Sequence, residues 1–189
     1  MEQKITPHFH NDIDGWMDID VEALYREVVA SLPNGGILVE VGCWKGKSLC
    51  YLLVEAKNSG KYFNIYGVDH FQGSVGEDQL IEEARRSDIG AECIRNCARV
   101  DGVLGMLICA PSCIAAWKFK TNQLDFVFLD ASHDYDSVKA DIQAWLPKIK
   151  PGGLLAGHDA GSPGVACAVA ELLPDAISEG SIWRYKVKE

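Results

Sequence analysis

Short apolar runs alternate along the chain with longer stretches of helical periodicity. That alternation is the signature of a parallel sheet with helices packed on its faces. Ile37 to Val41 is the first such run, and Phe63 to Val68, ending at Asp69, is the second. Gly105 to Cys109 is a weaker third, Asp125 to Leu129 the clearest buried strand, and Leu154 to Gly157 a fifth. Helical stretches fill the intervals: Lys47 to Lys57, Gln79 to Arg99 with an interruption near Gly90, a short turn from Pro111 to Trp117, Ser137 to Ile149, and Val165 to Leu173. Val138, Ile142, Trp145 and Ile149 fall on one stripe of the fourth of these. Pro151-Gly152-Gly153 predicts a turn before the fifth strand, and Ile182 to Val187 a closing antiparallel one. Val21 to Leu32 reads as a helix packed outside the sheet. The pattern predicts a doubly wound α/β domain over residues 1–189, with residues 1–20 as a flexible or substrate-covering segment.

Composition narrows the classes of function. At 189 residues with 48% hydrophobic and 24% charged, the chain has the balance of one globular domain with a sizeable core. A net charge of −9 repels phosphate backbones, which argues against a nucleic-acid partner. No apolar run reaches membrane-spanning length, and Met1 to Asp20 has no apolar signal-peptide core. Seven cysteines are an odd number, and Cys93/Cys97 and Cys109/Cys113 lack the C-x-x-C spacing of zinc sites. They read mostly as small core residues of a reducing, cytoplasmic compartment.

Candidate chemistry lies at the strand ends. In an open α/β sheet, ligands bind beyond the carboxyl ends of the strands near the switch in strand order. Asp69, Asp130 and the pair His158-Asp159 stand at three predicted ends, and Glu40 lies one residue inside a fourth. The loop from Glu40 to Ser48 carries Gly42 and Gly46 at the N-terminus of a helix, where the backbone approaches a ligand closely. A dinucleotide fingerprint needs a third glycine at a different spacing. A P-loop needs four residues between its glycines, and here there are three. A P-loop-like nucleotide hydrolase therefore ranks second, disfavoured further by Glu40 beside a polyphosphate.

The pattern Glu40-x-Gly42-x-x-x-Gly46, with a second strand ending in Asp69, resembles class I S-adenosylmethionine-dependent methyltransferases of Rossmann-like fold. The resemblance implies that the glycine loop meets the methionine part of S-adenosylmethionine and that Asp69 binds the ribose hydroxyls. It makes Glu40, Gly42, Cys43, Trp44, Gly46, Ser48, Asp69, His70, Ser112 and Asp130 the candidate cofactor residues.

Leu129-Asp130-Ala-Ser-His133, then Pro151-Gly-Gly, then His158-Asp159 is the second constellation. Carboxylates with an imidazole suit a hard divalent cation such as Mg²⁺ or Mn²⁺. His133, three residues past Asp130, has the near-neutral pKa of a residue that takes a proton from a hydroxyl. This order is similar to the metal-dependent O-methyltransferases of macrocin/mycinamicin and aminocoumarin sugar type and to catechol-type enzymes. By that resemblance Asp130, His158 and Asp159 are metal ligands and His133 is the general base. His158 stands where many sugar enzymes have an acid. The implied activity is metal-assisted methylation of a small-molecule hydroxyl, sugar-like or catechol-like. A non-catalytic cofactor-binding member of the same fold is a further alternative, and the N-terminal segment is long enough to cover a neighbouring subunit in a homo-oligomer.

Overall fold

The computed structural model describes residues 5–74 and 76–188, so the first four residues of the expected lead lie outside it. Seven strands form one sheet: β1 (Gly36–Val41), β2 (Phe63–Asp69), β3 (Leu104–Cys109), β4 (Leu124–Leu129), β5 (Ile149–Gly157), β6 (Ile177–Glu179) and β7 (Ile182–Lys186). Their order is β3-β2-β1-β4-β5-β7-β6, with β1 to β5 parallel and β7 antiparallel to both neighbours. The chain winds outward from β1 to β3 and restarts at β4 on the other side, so the switch point lies between β1 and β4.

Among the described residues seven α-helices accompany the strands: α1 (Ile19–Ser31), α2 (Lys47–Asn58), α3 (Asp78–Arg86), α4 (Ile89–Cys97), α5 (Ser112–Ala115), α6 (Tyr135–Trp145) and α7 (Pro163–Leu172). Alternation along the strands divides the core in two. Leu38, Phe126 and Phe128 pack with Leu24, Tyr25 and Leu52 of α1 and α2. Val39, Val41, Val127 and Leu129 point the other way, onto Ile142 and Trp145 of α6 and Val165 of α7. A period of two delivers successive side chains to opposite faces, and both faces are covered. Four of the seven cysteines are buried, and all seven are free thiols. Among the described residues no helix is long and apolar enough to cross a membrane.

The structure corrects three expectations of detail and adds one strand. The stretch predicted as helix from Ser137 to Ile149 ends at Trp145, because Pro147 sits in a 3₁₀ turn at Leu146–Lys148 and Ile149 already opens β5. Pro151-Gly152-Gly153 is a bulged part of β5 rather than a turn, with Gly152 at φ +76° and a register shift against β4. There the Gly152 N–H donates to Val187 O at 2.8 Å, and the Val187 N–H to Gly153 O at 2.9 Å. The helical stretch after Gln79 breaks at Ser87-Asp88 instead of Gly90, since the Asp88 carboxylate caps α4 by accepting from the Ala91 N–H at 2.9 Å. Strand β6 has no apolar pattern of its own, and it forms a hairpin with β7.

Residues 5–18 are laid against the domain. Phe9 carries the Arg99 guanidinium over its ring at 3.7 Å, and a 3₁₀ turn at His10–Asp12 leads into α1. Asp18 caps α1 with a carboxylate that accepts from the Asp20 and Val21 N–H groups at 3.0 and 3.1 Å.

Candidate active site

The ends of β1, β2, β4 and β5 are stitched together at one level. The Gly42 N–H donates to Val68 O at 2.8 Å, the Asp130 N–H to Val41 O at 2.8 Å, and the His158 N–H to Leu129 O at 3.1 Å. Gly42 is required twice over: its φ is +93°, and a Cβ there would stand 1.8 Å from Asp130 O. Asp159 also has a positive φ, +56°, an uncommon conformation that asparagine and aspartate tolerate best.

A cavity of about 260 Å³ opens beyond these ends. It is lined by Gly42, Cys43, Trp44, Ser48, Asp69, His70, Ser112, Asp130, His133, His158 and Asp159 among the sequence-predicted residues. Glu40 and Gly46 are not on its wall. Gly46 starts α2 in the left-handed region at φ +87°, its α-carbon turned toward the Cys93 sulfur. Glu40 is fully buried, accepting from the Tyr25 hydroxyl at 2.5 Å and the Ser48 hydroxyl at 2.8 Å. Burial pushes its pKa up to about 8, with the two hydroxyl donors working in the opposite direction.

At the β2 end, both Asp69 oxygens accept backbone bonds, from Trp44 N–H at 2.7 Å and Phe71 N–H at 2.6 Å. The carboxylate thereby ties the glycine loop to the loop after β2. His70 Nδ1 accepts from the Gln72 N–H at 3.0 Å, and the Ser112 hydroxyl accepts from Trp145 Nε1–H at 2.9 Å.

Asp130, His133 and Asp159 form a group whose ligand atoms all lie within 4.8 Å of one another. His133 Nε2 is 2.9 Å from Asp159 Oδ2, and its Nδ1 is 3.7 Å from Glu77 Oε1. Two carboxylates at this spacing are oxygen donors that fit a divalent cation, and the imidazole stands beside them. His158 is turned otherwise: Nδ1 lies 3.0 Å from Asp159 Oδ2 and Nε2 3.0 Å from Asp18 Oδ2. With a carboxylate oxygen on each ring nitrogen, the ring is best satisfied as an imidazolium donating to both.

The charges follow from this chain of contacts. Burial raises Asp130 to about 6. The hydrogen bond to Asp159 raises His133, and raises His158 to about 9. The same two bonds hold Asp159 well below the usual carboxylate range.

The N-terminal segment closes the cavity. Lys45 Nζ bridges Asp14 Oδ2 at 2.8 Å and Glu83 Oε1 at 2.5 Å, and Lys47 Nζ donates to Gly15 O at 3.1 Å. Asp14, Gly15 and Trp16 line the cavity of their own chain. Asp14, Trp16, Asp18 and Glu77 carry no sequence motif, and Lys45 is an unspecified position of the glycine loop. Nothing in the sequence marks Asp18, because the partner of its second oxygen lies 140 residues away.

No curated protein matches the sequence of this chain. Among solved structures it is similar to the O-methyltransferase NovP, with a TM-score of 0.64 and 19% identity over 90% of this chain and 81% of that one. A putative rRNA methylase from Clostridium thermocellum matches with a TM-score of 0.63 and 10% identity over 90% and 98%. An O-methyltransferase from Bacillus cereus in complex with SAH matches at 0.55 and 14% over 88% and 79%. Identities this low carry the fold and leave the acceptor open. Residues 39–160 match the family model described as a methyltransferase domain, a span running from β1 through the His158-Asp159 pair. With this match, the glycine loop and the strand-end acids around one cavity, the chain belongs to the class I S-adenosylmethionine-dependent methyltransferases.

Proposed function

We propose that the protein is an O-methyltransferase for the hydroxyl group of a small molecule, assisted by a divalent cation. The observation that carries this reading is His133, held at 2.9 Å by Asp159 and grouped with Asp130 at the switch point inside the cavity. A hydroxyl is a poor nucleophile until its proton is removed, and an imidazole anchored beside the reacting centre is suited to removing it. Asp69 and the glycine loop would hold the nucleoside and methionine ends of the methyl donor. Its sulfonium would then face the hydroxyl for in-line transfer, with alignment as the main contribution of the protein.

Asp130 and Asp159 would hold Mg²⁺ or Mn²⁺, which when bound lowers the pKa of a ligated hydroxyl. His158 suits a supporting role better than ligation. As an imidazolium it fixes Asp159 on one side and Asp18 on the other. NovP and the Bacillus cereus enzyme are named O-methyltransferases, which favours the same chemistry here. The net charge of −9 favours a small acceptor over rRNA.

The test is thermal unfolding with S-adenosylhomocysteine or ATP, with and without Mg²⁺, followed by turnover of hydroxylated acceptors. Saturation a hundredfold above Kd stabilises by about 2.7 kcal/mol. Stabilisation by S-adenosylhomocysteine, with His133→Ala abolishing turnover while sparing its affinity, is the expected result. A Mg²⁺-dependent shift with ATP alone, or turnover indifferent to a chelator, would overturn the reading or its metal component respectively.

A further inference from the structure

Segment 14–18 crosses the cavity between two anchorages. At one end Asp14 and Gly15 are held by Lys45 and Lys47, which follow the β1 end. At the other, Asp18 is held by His158, which follows the β5 end. The strand between β1 and β5 is β4, which leads into Asp130 and His133. Trp16, between the two anchorages, belongs to the same cavity as Asp130 and His133. It lines that cavity, yet it is 66% exposed and makes no ring contact or side-chain hydrogen bond among the described residues. A large indole left unstacked at a cavity mouth is a surface for a ligand ring or cation.

Glu77 lines the same cavity, and among the described residues its carboxylate has one ion-pair partner, His133, whose Nδ1 lies at 3.7 Å. Of the basic groups on the wall, Lys45 is committed to two carboxylates and His158 to two more, while Lys47, beside the glycine loop, donates to Gly15 O. Beside His133 an acceptor would thus meet the Glu77 carboxylate, which a cationic group suits better than an anionic one.

We infer that the acceptor is a hydroxylated ring bearing a protonated amine, stacked on Trp16 with its ammonium toward Glu77. The inference rests on the methyltransferase reading of this cavity. An amino sugar and an aminoalkyl catechol present the same chemistry, and matched probes separate them.

The experiment is calorimetric titration of the S-adenosylhomocysteine–Mg²⁺ complex with two charge-matched pairs. One is 3,4-dihydroxybenzylamine against 3,4-dihydroxybenzoate, and the other is methyl glucosaminide against methyl glucuronide. In at least one pair the amine should bind about tenfold more tightly than the acid. Trp16→Ala should weaken the amine about tenfold with Trp16→Phe restoring most of it, and Glu77→Gln should erase the discrimination between partners. S-adenosylhomocysteine affinity should stay within about twofold in all three variants. Equal binding of amine and acid, tighter acid, no binding by either pair, or an indifferent Trp16→Ala would overturn the inference. Failure of S-adenosylhomocysteine itself to bind would instead sink the underlying reading.

Discussion

Replacing Glu40 by glutamine removes a titrating proton from the middle of the sheet while keeping the side chain's shape. In the folded chain burial raises the Glu40 pKa from the ordinary 4.5 to about 8. Between those values the folded state holds a proton that the unfolded state has released. Stability therefore falls as pH rises through this window, by up to about 1.4 kcal/mol per pH unit, and the decline ends above the folded pKa. From about pH 5 to about pH 7 the loss from this one group is on the order of 2 to 3 kcal/mol. Glu40→Gln is neutral throughout, and the Tyr25 and Ser48 hydroxyls can turn to meet an amide. Near pH 5 the variant should match the wild type within about 1 kcal/mol, and it should become progressively the more stable as pH rises. Urea denaturation followed by circular dichroism at several pH values measures the difference, and other titrating groups largely cancel in it. A stability difference that does not change with pH would show that Glu40 is already ionised in the fold, contrary to the reasoning.

Gly42→Ala forces a left-handed residue, at a cost of about 1–2 kcal/mol, and drives a methyl group into Asp130 O. Denaturation should show a loss of at least that size, and calorimetry should find S-adenosylhomocysteine binding gone. If His133 must be neutral to act, activity should be lost as pH falls through a pKa above its ordinary 6.5, because the Asp159 hydrogen bond raises it. In Asp159→Asn the midpoint of that limb should move down, and an unmoved profile would remove His133 from the base role. Asp69→Ala releases the Trp44 and Phe71 N–H groups along with any ribose contact. It should weaken S-adenosylhomocysteine by about 10- to 100-fold, as read by titration.

The alternation of apolar strands and helical stripes was enough to place β1, β2, β4 and most helices, because each buries both faces or one stripe by its own periodicity. The acids at the strand ends were legible for the same reason, since a buried strand announces where it leaves the core. The structure gathers Asp69, Asp130, His133, His158 and Asp159 around one cavity, as the strand-end pattern implied. Features that depend on a distant partner were not legible. Pro151-Gly152-Gly153 looks like a turn until Val187 supplies its hydrogen bonds, and β6 is a strand only because β7 lies beside it. Glu40 reads as a cofactor ligand until Tyr25 and Ser48 close over it.

His158 and the cavity wall are the clearest cases. Sequence offers a histidine beside an aspartate, and only the fold brings Asp18 to its far nitrogen and so turns a candidate ligand into a candidate cation. Trp16 and Glu77 belong to no motif, yet the N-terminal segment sets one on the cavity wall and the start of α3 brings the other to His133. Periodicity and capping act over a few residues and can be read along the chain. Protonation, ligation and shelter depend on neighbours that sheet order alone brings within a few ångströms.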